Sequence, residues 1–447
     1  LNDVVSTFVQ VSDFHLQTAF DATAAQCVPG NDAQESVIPP AIADMFGTYY
    51  CDSPPGLLWS TVNAIQQLVR GPQAPVDFVL FTGDFTSHYA GVPTTLASDT
   101  NQLFDAALPN TPFLPCLGNN DVHPEYSLRL VRIVRFISLW YLLFVVANLS
   151  AAFGDWLSNS QLNTFHQGGY YAFDIPGGNH RVLMLNTLYY SMLHIPQWNP
   201  LPSDPSGQFA WLTDECEQAR AGGYRVITAG HIPPGTNDYE NGSLWYQCVW
   251  PVYSQTFLSI LSNYSDVVTG NLFGHQHMDT FKVYHLDTEP PLFDDSSTSP
   301  FSPTLGDGAP GLTLFLAVPS VSPVYLNNPG FRVYLYNQSS LELVDYIQFY
   351  ADLQWFAARP ANSNVTSPDW VMEYTASVDF DIPLPIGDPY GWDDFLEQIR
   401  SNQTVFEDFY AARAVQYLDT NFVPRNQIIC ASQEWEFDGY LQCLQND

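Results

Sequence analysis

Short apolar strands that alternate with amphipathic helices predict an α/β fold for this chain. Two further observations sharpen that expectation. Each strand runs into a turn containing glycine or another breaker, and each of those turns carries Asp, Asn or His. Parallel strands joined through helices place their carboxyl ends along one edge of a sheet, which is where open α/β sheets build their sites.

Ser6 to Ser12 alternates polar and apolar residues and delivers Asp13-Phe14-His15. The turn-rich stretch from Gln17 to Pro55 contains Cys27 and Cys51 and reads as a stapled surface loop. Gly56 to Arg70 has helical spacing at Leu58, Val62, Ile65 and Val69. Val76 to Thr82, apolar from Phe78 to Phe81, reads as a strand of the kind buried on both faces, and it ends in Gly83-Asp84. A helix around Ala97 to Leu108 leads to the strand Pro112 to Leu117 and the turn Gly118-Asn119-Asn120-Asp121.

Leu128 to Gly154 begins with Arg129, Arg132 and Arg135 and carries no charge from Phe136 to Gly154. That approaches the ~20 residues of a membrane span. Asn148, Ser150 and Gly154 interrupt it, and it lies between turns of one domain. A buried or partly exposed helix is the expectation, with a peripheral membrane contact through residues 129–154 as the sharper alternative, its arginine row meeting phosphate headgroups.

Gly168 to Phe173 and Arg181 to Asn186 read as strands of a second sheet, turned at Pro176-Gly177-Gly178. A helix over Gly207 to Ala221 precedes strand Arg225 to Ala229 and the turn Gly230-His231-Ile232-Pro233-Pro234-Gly235. A helix over Val252 to Tyr264 precedes strand Val267 to Phe273 and Gly274-His275-Gln276-His277. On an extended chain residues two apart face one way, so both imidazoles are expected to reach one small volume. Glu289 to Gly311, rich in Pro, Ser, Asp and Gly, reads as a long surface excursion, and Leu312 to Val318 and Phe331 to Tyr336 resume the sheet. The α/β pattern defines one large domain over 1–350. Residues 351–447 form a small, mainly helical subdomain stapled by Cys430 and Cys443.

Composition bounds the function. With 46 acidic against 13 basic residues the net charge is −33, and Lys282 is the only lysine. Such a field repels polyanions, which argues against nucleic acid as a partner, and it relaxes at low pH. The chain has 7 cysteines. Cys27 with Cys51 and Cys430 with Cys443 are disulfide candidates, Cys216 with Cys248 a longer-range one, and Cys116 is left as a buried thiol. Glycosylation sequons stand at Asn148, Asn241, Asn263, Asn337, Asn364 and Asn402. Cysteines and sequons together predict a secreted or lysosome/vacuole-lumen protein, and the opening directly on a strand suggests a processed start.

Collected, the strand-end residues are Asp13, His15, Asp84, Asn119, His231, His275 and His277. Imidazole, carboxylate and one amide oxygen are what a pair of divalent ions such as Zn, Mn or Fe selects. Two ions ~4 Å apart bridge a hydroxide and clamp a phosphoryl group for in-line attack. The shared carboxylate must touch both, and Asp84 is the candidate. A lone histidine is more often a satisfied core or surface residue; that reading loses weight when such residues recur at every turn.

These blocks, Asp-x-His, Gly-Asp, Gly-Asn-x-Asp, Gly-His and Gly-His-x-His, resemble the calcineurin-like metallophosphoesterases. Gly230 to Gly235, Gly168 to Tyr171, Leu185-Asn186-Thr187 and Asn328 to Tyr334 resemble the acid sphingomyelinase-like phosphodiesterase branch. The resemblance runs from about Val9 to Asp352. It implies a four-layer α/β/β/α sandwich, with 1–350 as the catalytic domain, and zinc as the habitual ion. It also implies that one ion takes Asp13, His15, Asp84 and His277 and the other Asp84, Asn119, His231 and His275.

One departure stands out. The family places a histidine after the ligand asparagine to protonate the leaving oxygen, and here it is Asn120, which has no proton to give. The Gly-Asn-Asn-Asp variant resembles endopolyphosphatases. His88 is the better replacement acid and His123 the alternative; a phosphoanhydride or activated leaving group would need none. The leading expectation is a binuclear phosphodiesterase acting on a sphingomyelin-like lipid or a small phosphoester through metal-bound hydroxide. Behind it stand an endopolyphosphatase, which the acidic field disfavours, and a retired enzyme kept as a structural or binding glycoprotein. The sequence does not set the oligomeric state.

Overall fold

The computed structural model describes residues 4–18, 45–69, 76–88, 96–128, 157–237, 249–285, 311–359, 367–417 and 423–446. Among them, two six-stranded sheets face each other across one hydrophobic core.

The first sheet is seeded by β1 (Val5–Val11), β2 (Val76–Phe81) and β3 (Phe113–Pro115), which run parallel. Their connections are α1 (Pro55–Val69), whose Leu57, Leu58, Val62 and Ile65 are buried, and α2 (Leu96–Ala107). The second sheet contains β4 (Tyr171–Asp174), β5 (Arg181–Met184), β6 (Val226–Ala229) and β7 (Val268–Phe273). α3 (Asn159–Gly168) precedes β4, α4 (Gln208–Gly222) joins β5 to β6, and α5 (Pro251–Asn263) joins β6 to β7. Asp204 fixes the start of α4 by accepting from the backbone of Phe209 at 2.9 Å and Ala210 at 3.0 Å. Next come β8 (Thr280–His285) and β9 (Leu312–Ala317), completing the order β4-β5-β6-β7-β9-β8.

The chain then returns to the first sheet. β10 (Gly330–Asn337), β11 (Leu343–Ala351) and β12 (Trp370–Thr375) add antiparallel strands, giving β12-β11-β10-β1-β2-β3. α6 (Leu353–Ala357), α7 (Pro389–Ser401), α8 (Gln403–Arg413), α9 (Arg425–Gln433) and α10 (Phe437–Asn446) make the rest mainly helical. The division expected at residue 350 falls inside β11, and the segment beyond it supplies an edge strand to the first sheet. This is the α/β fold that the alternation of elements implied, in the sandwich form that the resemblance implied, with a helical C-terminal region.

Several expectations need correction. Gly168 ends a helix rather than opening a strand: Ser158 and Gln161 form a capping box, Gly169 closes the helix at φ 74°, and the strand starts at Tyr171. β8, β11 and β12 were not foreseen. Cys216 is a buried free thiol in α4 and has no disulfide to Cys248, which lies outside the described residues. Cys116 is likewise buried and free. Cys430 and Cys443 are bonded, joining α9 to α10. Cys51 is disulfide-bonded, while Cys27 lies outside the described residues.

So do the 129–154 stretch, Glu289 to Pro310, and the sequons at Asn148, Asn241 and Asn364. Among the described residues no helix is long and apolar enough to cross a membrane. Of the remaining sequons, Asn402 is exposed between α7 and α8, Asn263 closes α5, and Asn337 ends β10 with its amide oxygen accepting from Ser339 and Ser340. Lys282, on β8, is 3% exposed and donates to the carbonyls of Thr236 and Ala431.

Candidate metal centre

The strand ends of both sheets meet in one buried cluster. Asp13 and His15 follow β1, Asp84 follows β2 and Asn119 follows β3; His231 follows β6, and His275 and His277 follow β7. All except the partly buried His275 are buried.

Asp13, His15, Asp84, His275 and His277 have φ of 53°, 42°, 61°, 68° and 59°. Left-handed backbone at non-glycine residues costs on the order of 1–3 kcal/mol each and survives where surrounding structure enforces it. This overturns the extended-chain argument for the two neighbouring histidines. β7 stops at Phe273, and the left-handed turns send His275 toward Asp84 and His231 while His277 joins His15.

Among the described residues, three sets of potential ligand atoms lie within 4.8 Å of one another: Asp13, His15 and Asp84; Asp84, His231 and His275; and His15, His88 and His277. Asp84 belongs to the first two. Its Oδ2 lies 3.5 Å from His15 Nε2 and 3.3 Å from His231 Nε2. His15 Nε2 is 3.0 Å from His277 Nε2, and Asn119 Oδ1 is 2.9 Å from His231 Nε2.

The second row of contacts fixes which ring atoms face inward. His15 Nδ1 donates to the Thr86 carbonyl at 3.2 Å and His231 Nδ1 to the Thr82 carbonyl at 2.7 Å, so both Nε2 atoms face the centre. Asp121 holds the Asp84 turn by accepting from the backbone N–H groups of Gly118, Asp84, Phe85 and Thr86. Gly118 is required by space: a Cβ there would stand 2.1 Å from Asp84 Oδ1.

These residues fit divalent cations. Asp13 Oδ1 is buried without a hydrogen-bond partner and points at His15 Nε2 and His277 Nε2, 3.7 and 3.5 Å away. An unsatisfied buried carboxylate oxygen beside converging imidazoles is costly unless a positive charge sits among them.

Protons show where positive charge belongs. Burial disfavours a charged His15, but the neighbouring carboxylates of Asp13 and Asp84 outweigh it and push the ring up to about 9. His231 overcomes burial through Asp84 and also reaches about 9. Burial and the His231 charge press His275 down to about 4, and burial holds His277 well below the usual range. Against burial, His231 and His15 hold Asp84 well below the usual carboxylate range, and His277 and His15 hold Asp13 at about 2.

The three residues weighed as proton donors are placed differently. His88 stacks on His15 with ring centroids 4.1 Å apart. Its backbone N–H and Nδ1–H both donate to the buried Asp52 carboxylate at 2.8 Å, leaving Nε2 beside the Tyr325 hydroxyl at 3.3 Å. Asn120 spends its amide on Asp84, donating from Nδ2 to Oδ2 at 2.9 Å and from its backbone to Oδ1 at 2.8 Å. His123 is exposed on the turn beyond. Sequence reasoning missed Asp52, Tyr325 and Glu125, which accepts from Asn119 Nδ2 at 2.6 Å. No motif marks them.

Facing strand ends that gather shared carboxylate and imidazole ligands define a metallophosphoesterase. Residues 6–279 match the calcineurin-like phosphoesterase pattern, and the chain belongs to that family. Residues 312–447 match the acid sphingomyelin phosphodiesterase C-terminal region. The chain is 28% identical over 457 residues to an acid sphingomyelinase-like phosphodiesterase 3b of Mus musculus, covering 98% of this chain and 89% of that protein. It is 29% identical to a sphingomyelinase phosphodiesterase C of Dictyostelium discoideum, covering 90% of this chain and 84% of that one. Similarity to a cyclic GMP-AMP phosphodiesterase of Homo sapiens is 28% and covers 85% of this chain and 76% of the other.

Proposed function

We propose that this chain is a binuclear phosphodiesterase of an acidic lumen or the extracellular space, acting on a sphingomyelin-like lipid or a small soluble phosphodiester. The observation that carries the reading is the Asp84 carboxylate, which lies in two neighbouring ligand sets. Asp13, His15, Asp84 and His277 would hold one ion and Asp84, Asn119, His231 and His275 the other, with zinc first and manganese or iron behind it. When bound, such ions supply Lewis-acid charge to the phosphoryl oxygens and acidify a water.

The chain's own residues supply the rest. Asp52 fixes the His88 ring with Nε2 beside the partly exposed Tyr325, and the imidazolium form gives its Nε2 proton to the leaving oxygen and returns to the neutral ring. Tyr325, 42% exposed, packs its ring edge-on against His88 and His277 and presents an aromatic wall to the substrate. Asn120 keeps the Asp84 carboxylate in place and transfers no proton. That division favours a phosphodiester over polyphosphate, because a leaving alcohol needs the acid that His88 supplies. Residues 351–447 act as a buttress: β12 extends the first sheet, and Asp279, two residues after His277, accepts from Arg332 on β10 and Tyr374 on β12.

The test is elemental analysis of the purified chain with hydrolysis of a chromogenic phosphodiester from pH 4 to 8. Two equivalents of metal with turnover support the reading. Asp84→Asn is expected to lose turnover and most metal while staying folded; undiminished hydrolysis in that variant would sink it. Sphingomyelin vesicles and a cyclic dinucleotide, run in parallel, separate the two substrate classes.

A further inference from the structure

An asparagine has two ends that look alike in shape and differ in chemistry. Only the oxygen serves a cation; the NH2 group repels one. Asn119 therefore needs something that decides which end enters the site. Its Oδ1 faces His231 Nε2 at 2.9 Å, and its Nδ2 donates to Glu125 Oε1 at 2.6 Å. A carboxylate only accepts. Were the amide to turn over, Oδ1 would meet the Glu125 oxygen and two acceptors would collide, while the NH2 would enter the place where charge is collected. Glu125 is itself held: the turn from Asn119 to Tyr126 closes on a backbone hydrogen bond from Tyr126 N–H to the Asn119 carbonyl at 3.2 Å. Asn119 is buried, while Glu125 stands at the exposed rim, so the contact runs from solvent into the centre.

We propose that Glu125 is a positioning residue that locks the Asn119 amide with its oxygen turned into the metal centre. The proposal rests on the two-ion reading above and adds to it a residue outside the ligand set. Partners of this kind, one contact behind a ligand, are worth about 10–100-fold in metal affinity.

Glu125→Gln opens the lock with the side chain's size kept, because the new amide can donate to a turned-over Asn119. It also removes a negative charge, which by itself weakens cation binding. A double-mutant cycle separates the two effects. Zinc is titrated calorimetrically into the wild type, Glu125→Gln, Asn119→Ala and the double variant, with thermal unfolding of each metal-free form as the check on folding. The expected result is a loss of about tenfold for Glu125→Gln in the wild-type background and little further loss in the Asn119→Ala background. The side-chain NH2 resonances of Asn119 are expected to shift in the single variant. Equal losses in both backgrounds, or none in either, overturn the lock and leave the two-ion reading standing. A wild-type chain that takes up no zinc, manganese or iron overturns both.

Discussion

The two sheets bring different chemistry to the same seam. The first delivers oxygen donors, Asp13, Asp84 and Asn119, with a single imidazole, His15; the second delivers imidazoles alone, His231, His275 and His277, as candidate ligands. Neither edge is a metal site by itself. The first would be a cluster of buried acids in search of protons, and the second a set of neutral rings. The centre is a property of how the sheets face each other, held by contacts such as the donation from Gln10 on β1 to the Phe273 carbonyl at 3.0 Å.

The contrast is sharpest at the glycines. A Cβ on Gly118, in the first sheet's turns, would meet Asp84 Oδ1 at 2.1 Å, whereas one on Gly230, before His231, meets side-chain carbons at 3.0 and 3.1 Å. Gly118→Ala is expected to lower turnover by about 100-fold or more, since displacing the shared carboxylate by about an ångström has that effect. Gly230→Ala should stay within about tenfold. Equal losses in steady-state assays would erase the distinction between the glycine packed against the shared carboxylate and the one before His231.

Next in size is the support behind His277. Arg332 is fully buried and paired with Asp279. Arg332→Met leaves that carboxylate buried with Tyr374 as its remaining partner and should cost about 3–5 kcal/mol in denaturant unfolding. A loss under about 1 kcal/mol would show that the second sheet's ligands do not depend on the C-terminal strands.

Bound metal should also pin one sheet to the other. Ligand present at about 100 times its dissociation constant stabilises a fold by about 2.7 kcal/mol. Chelation should therefore lower the melting temperature, and an unchanged melting curve would deny the ions any structural part.

A further contrast concerns pH. His15 and His231 rise from an ordinary 6.5 to about 9. Their contribution to the stability of the chelated chain is thus whole below about 6.5 and fades as pH climbs through about 9. Metal affinity runs the opposite way and grows over that window, because loading displaces those protons. Melting curves of the chelated chain that improve from pH 6.5 to 9 would contradict this assignment.

Much of the site was legible because turn chemistry and ligand chemistry coincide in short stretches such as Gly83-Asp84 and Gly274-His275-Gln276-His277. The fold was legible where burial on both faces leaves continuous apolar runs, as in Phe78 to Phe81 of β2. β11 and β12 were hidden because Gln348 is buried while Val371 and Met372 are exposed, so no clean alternation survives. α3 carried its signal in the Ser158–Gln161 cap rather than in apolar spacing. Asp52 and Glu125 act through pairings 36 and 6 residues apart with no motif to announce them. Nor does any local pattern foretell the left-handed backbone at His275 and His277, which tertiary contacts impose.

The burial of Lys282 leaves the folded surface without a lysine. Acylating dyes and cross-linking esters aimed at side-chain amines find nothing to react with until the chain opens. The one amine they then reach joins the loop after His231 to α9. The rate at which that amine becomes labelled is therefore a one-site clock for the parting of the helical C-terminal region from the catalytic sandwich, built in without any engineered tag.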